Sequence, residues 1–150
     1  MTDLSARDRA YLDQYYQPVT LYASQYRVSP ILVLGLGAES GFASDGTYLR
    51  TGDAFGLTGG STAHMTKAQS PYDNVAKLFA LYGKQISGLD DNVDAFINAL
   101  EGENIRGASI TGWRVYNSQH GPEWQKLIRQ GIQQMQRDVP IYRKLGGLPW

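Results

Sequence analysis

The stretch S-P-I-L-V-L-G-L-G-A-E-S-G-F, residues 29–42, decides the fold. Ser29 suits a helix N-cap, Pro30 the first helical position and Gly41 the residue just past the end, so the segment between them reads as a helix. That helix is apolar all round, and no charge interrupts it until Glu39. A helix without a polar face belongs in the middle of a domain, where Gly35 and Gly37 let neighbouring helices approach its backbone closely.

Helices are expected around this central one. Ser5, with Asp8 three residues on, resembles a capping box, and Tyr11, Leu12, Tyr15, Tyr16, Val19, Tyr22, Ala23 and Tyr26 then recur at helical spacing, with Pro18 as a kink. Ser70, Pro71 and Asp73 open a third helix with Val75, Leu78, Phe79 and Tyr82 on one face. Asp91 opens a fourth with Val93, Phe96, Ile97 and Leu100, closed by Gly102. Gly121 and Pro122 start a helix carrying Trp124, Leu127, Ile128 and Met135, whereas the Gly- and Pro-containing tail V-P-I-Y-R-K-L-G-G-L-P-W reads as something other than a long helix. Residues 42–60, rich in Gly, Thr and Asp with a D-G turn signal, read as an irregular loop or short hairpin and not as a helix. The expected class is therefore mainly α (α+β), with a central buried helix and a small irregular or β-hairpin lobe.

Composition narrows the function classes. A chain of 150 residues without repeats or low-complexity linkers fits a single domain spanning 1–150, large enough to bury a sizeable core. It has no cysteine, which removes disulfides, thiolate ligands and thiol nucleophiles. Fourteen basic residues balance fourteen acidic ones, so neither nucleic acid nor an anionic membrane is the expected partner. The ten Tyr, three Trp and four Phe can offer flat faces and hydroxyls to a neutral ligand such as a sugar. No apolar run approaches the roughly 20 residues of a membrane span, and the N-terminus lacks a signal-peptide layout.

Several chemistries lack their motifs. His64 and His120, far apart and without neighbouring ligand residues, do not form a metal-ligand spacing, and no cofactor motif is present. T-G-G-S-T at 58–62 lacks the phosphate-loop lysine, and Ser40 beside Glu39 is not a nucleophile elbow. Glu39 itself, in the last turn of a buried helix, is placed where the helix dipole and the apolar surroundings both disfavour the charged form. A raised pKa is the property a glycosidic general acid needs.

Three quoted stretches carry a resemblance. E-S-G-F at 39–42, F-G-L-T beginning sixteen positions after Glu39, and W-R-V-Y-N-S-Q-H-G-P-E-W at 113–124 occur in the order seen in the lysozyme-like superfamily. That superfamily spans goose-type lysozymes, lytic transglycosylases and the N-acetylglucosaminidases of bacterial autolysins and flagellar assembly. The chain most resembles the glucosaminidases over about residues 29–137, departing from their pattern at Asp53, where Asn is common. The resemblance implies a lysozyme-like fold and cleavage of a β-1,4 bond between N-acetylglucosamine and N-acetylmuramic acid, by glucosaminidase, muramidase or lytic transglycosylase chemistry. A wall-binding domain that has lost activity is the alternative from another class. By the same resemblance Glu39 is the acid, Tyr116 a residue that orients or stabilises, and Asn117 its support.

Asp53, just before F-G-L-T, is the first candidate for the second catalytic carboxylate and Asp45 the second; the third possibility is that none acts, as in transglycosylases. Inversion and retention would need it about 6.5–9.5 Å or about 5 Å from the acid, respectively. Phe42, Asp45, Phe55, Gly56 and Thr58 are the expected substrate-side residues. The implied partner is the peptidoglycan glycan strand, in the periplasm or cell wall. Delivery by phage lysis, a phage tail or a secretion machine, with a delivery or immunity protein as a further partner, accompanies that expectation.

Overall fold

The structure, a computed structural model, describes residues 4–55, 67–100 and 122–146. These residues are mainly helical: α1 Ala6–Tyr26, α2 Pro30–Gly35, a 3-10 turn Leu36–Ser40, α3 Gly46–Thr51, α4 Pro71–Ile86, α5 Val93–Leu100 and α6 Pro122–Gly146. Among them there is no β-strand, only an isolated bridge between Val28 and Asp90.

The local signals act as their chemistry dictates. Ser5 Oγ accepts from the Asp8 N–H (3.0 Å), Ser29 Oγ from Ile31 (3.2 Å) and Ser70 Oγ from Asp73 (3.0 Å), each satisfying an amide that the first helical turn leaves over. α2 is the hub of the packing, lying against α6 and α1, while α4 covers the other side of α1 and carries α5. Leu32, Val33, Leu34 and Leu36 are fully buried, as a helix with no polar face requires. Tyr11 lies where a side chain on Gly37 would stand, and its hydroxyl donates to the Leu34 carbonyl at 2.6 Å. Burial pushes the Tyr11 phenol well above its ordinary range, so it stays a neutral donor.

Four expectations are corrected. Residues 46–51, expected to be non-helical, form α3: Asp45 is its N-cap, accepting from the Tyr48 N–H at 2.9 Å, and Gly52 closes it in the left-handed conformation. An Asp-Gly pair serves a cap as well as a turn, and α3 buries none of its residues, so it leaves no apolar period to read. The central helix tightens into a 3-10 turn at Leu36, so Glu39 lies in that turn and not in an α-helical one. The fourth helix starts one residue later than expected, Asn92 Oδ1 accepting from the Ala95 N–H at 3.0 Å. The tail is helical through Gly146, its Pro140 tolerated because Val139 is buried and Tyr142 packs on Tyr16 (5.4 Å between ring centres) and donates to Asp13 at 2.9 Å. α1 likewise continues through Pro18.

Candidate active site

Glu39 projects from the 3-10 turn that ends the buried helix and is itself half-buried. Its Oε2 accepts a hydrogen bond of 2.5 Å from the indole Nε1–H of Trp124, on the first turns of α6. Indole only donates, so Oε2 is the acceptor of this bond, which favours Oε1 as the oxygen that carries a proton when Glu39 is protonated. Trp124 is 4% exposed, so the donor is held by packing and fixes the carboxyl orientation in turn.

The turn behind Glu39 is tied by Ser40. Gly41, Phe42 and Ala43 have φ of 61°, 59° and 63°, a left-handed run that a side chain disfavours at the last two positions by about 1–2 kcal/mol each. Ser40 Oγ, buried, donates to the Gly37 carbonyl (3.1 Å) and accepts from the Ala43 N–H (2.9 Å). The Ser40 carbonyl accepts from Ser44 and Asp45, and the Phe42 N–H donates to the Gly37 carbonyl at 2.8 Å. The order Glu-Ser-Gly-Phe thus has a local meaning: the acid, the knot, and two residues of a sharp left-handed reversal. Ser40→Ala leaves the Ala43 amide without its acceptor and is expected to cost about 1–2 kcal/mol. A urea unfolding midpoint unchanged from wild type would show that the backbone alone holds the turn.

Phe42 is buried against Tyr11 (5.4 Å between ring centres) and lies under the Arg7 guanidinium at 5.0 Å. A cavity of about 260 Å³ opens beside it, with Ala38 and Gly41 on one side and Leu127, Gln130, Gly131 and Gln134 of α6 on the other.

The two carboxylates considered as partners of Glu39 are both engaged by backbone amides. Asp53, 1% exposed, accepts at Oδ1 from the Phe55 N–H (3.0 Å) and the Asn74 side-chain amide (3.1 Å). Asn74 Oδ1 in turn accepts from Tyr15 and from the Ala54 N–H, both at 2.8 Å, so the segment after α3 is stitched to α1 and α4 through a buried polar hub. Burial raises the Tyr15 phenol far above its ordinary range, keeping it the donor in this hub. Asp45 caps α3 from an exposed position. Phe55 is fully buried and meets Tyr15 edge-on, which makes it core and not cleft wall.

Gly56, Thr58, Tyr116 and Asn117 lie outside the described residues, as do His64 and His120. Among the described residues no group of three His, Cys, Asp or Glu side chains is placed to hold a metal, and no helix is long and apolar enough to cross a membrane. The site residue that sequence reading missed is Trp124. Its helical spacing marked it as core, which it is, but nothing local pairs it with a carboxylate 85 positions away. Compared with protein-family models, with curated proteins and with solved structures, the chain matches none.

Proposed function

We propose that this chain is a lysozyme-like glycosidase of peptidoglycan, cleaving a β-1,4 bond between N-acetylglucosamine and N-acetylmuramic acid with Glu39 as general acid. The observation that carries the reading is the setting of Glu39: a half-buried carboxyl at the end of the buried central helix, its Oε2 fixed by Trp124. In the proposed step Oε1–H gives its proton to the glycosidic oxygen as the C–O bond breaks and positive charge spreads over the sugar ring. The Glu39 carboxylate then recovers a proton from the group that attacks the ring carbon. Tyr116 and Asn117 enter this proposal by resemblance alone, and the site of action is the wall, outside the cytoplasm.

Lytic transglycosylation is the second reading. The observation favouring it is that Asp53 and Asp45 both serve as backbone braces. With those carboxylates committed to structure, one acid that later acts as base is sufficient, and the muramic acid 6-hydroxyl takes the place of water.

The two readings leave different ends on the products. Digestion of purified peptidoglycan, borohydride reduction and mass spectrometry of the fragments distinguish them. An anhydro end identifies the transglycosylase, a reduced muramic acid end the muramidase and a reduced glucosamine end the glucosaminidase. Glycan binding with no fragments released overturns all three and leaves a wall-binding domain.

A further inference from the structure

Two acidic side chains are buried together far from their neighbours in sequence. Asp8, in the first turn of α1, and Asp138, on α6, are each 1% exposed. Gln134, one turn before Asp138 on α6, donates its side-chain amide to Asp8 and so brings the two buried carboxyl groups to one place, where they can hydrogen-bond to each other only when one of them carries a proton. Asp138 Oδ2 is buried without a hydrogen-bond donor among the described residues, and a proton on it turns that orphan oxygen into the donor.

The surroundings decide which group keeps the proton. Asp8 receives Arg7 Nε at 2.8 Å and the Gln134 side-chain amide, and it stands at the positive end of the α1 dipole. Among the described residues Asp138 has one cationic contact, from the neighbouring and largely exposed Arg137 at 3.1 Å, and it lies well inside α6. Among the described residues the titratable and charged groups against the pair are therefore Arg7 and Tyr11 from α1 and Arg137 from α6, with Tyr11 neutral. Burial pushes Asp8 up, but the bonds from Asp138, Arg7 and Gln134 outweigh it and hold Asp8 below its ordinary range; burial first, then the Asp8 carboxylate, hold Asp138 above it.

We infer that Asp8 and Asp138 share one proton and form a latch that clamps the start of α1 to α6 in mildly acidic conditions and loosens as the pH rises. The latch bears on the cavity beside the Glu39 turn, because Arg7 and Gln134, the two side chains held by Asp8, both line it. The inference does not depend on the proposed glycosidase activity.

The stability it contributes has two edges. Because the folded pKa of Asp8 is lowered, its share is lost as the pH falls through that lowered value. Because the folded pKa of Asp138 is raised, its share is lost as the pH rises through that raised value, where two charges face each other in the interior.

The test is thermal unfolding of wild type and Asp138→Asn between about pH 4 and pH 8. The side-chain amide of the variant donates to Asp8 at every pH. The wild-type Tm should drop by about 3–8 °C across the alkaline edge, and the variant should lose that drop. Parallel curves overturn the latch. Should the variant fail to fold, the ¹³C carboxyl titration of the wild-type protein decides: one Asp titrating above and one below the ordinary range supports the shared proton, and two ordinary titrations overturn it.

Discussion

Glu39→Gln should fold like the wild type and release muropeptides from peptidoglycan about 10²- to 10⁴-fold more slowly, the range a positioned general acid contributes. The substitution suits the geometry. The Gln carbonyl oxygen can accept the Trp124 indole N–H as Oε2 does, so the 3-10 turn and the start of α6 keep their contact. What disappears is the dissociable proton. Trp124→Phe provides the complementary arm, since it keeps the carboxyl and removes the donor that orients it. Its expected loss is smaller, roughly 10- to 100-fold in kcat with KM little changed, because a misaimed acid reacts less often without altering how the glycan sits. Rates come from counting new reducing or anhydro ends per unit time. Full activity in the Gln variant would place the acid elsewhere, and equal glycan binding by two inert proteins would leave a binding domain.

What the sequence made legible follows from the range over which each signal acts. The central helix was readable because Ser29, Pro30 and Gly41 are local punctuation and because ten uncharged residues in a row leave no solvent face. The inward face of α4 was readable for the related reason that Val75, Leu78, Phe79 and Tyr82 repeat at helical spacing, and all four are buried. α3 was not, because its sequence, G-T-Y-L-R-T, favours no helix strongly and packs nothing inside; its cap Asp45 and its closing Gly52 also spell a turn. The end of α6 was misread because Pro140 and two glycines argue locally against a helix. Tertiary contacts of Val139 and Tyr142 outweigh that argument, and the missing proline amide costs one hydrogen bond. The Trp124–Glu39 and Asp8–Asp138 pairs belong to a third kind. Each joins α6 to a segment near the other end of the chain, and no local rule connects them.

Gly35→Ala should cost about 3 kcal/mol or more and lower the urea midpoint accordingly. Gly35 has ordinary helical dihedrals, so the expectation rests on space and not on backbone freedom. A Cβ there would stand 2.5 Å from Ile132 Cγ1 and 2.9 Å from both the Cα and the N of Ile132. The first contact could be relieved by a rotamer change; the other two are helix backbone and can be relieved only by moving α6. The contact is tight from both sides, because a Cβ on Gly131 would meet the Gly35 carbonyl oxygen at 2.5 Å and Ala38 Cβ at 2.8 Å. Two glycines thus let the buried helix and α6 pack nearly backbone to backbone. That same contact brings Trp124 to Glu39, and the candidate acid and the core share one seam. If α6 shifts to admit the methyl group, the 2.5 Å bond is the first polar contact to lengthen, so Gly35→Ala should lose activity at temperatures where it is still folded. A variant that is destabilised yet fully active per folded molecule would show that Trp124 does not set the aim of Glu39; one of unchanged stability would show that the two helices have room to part.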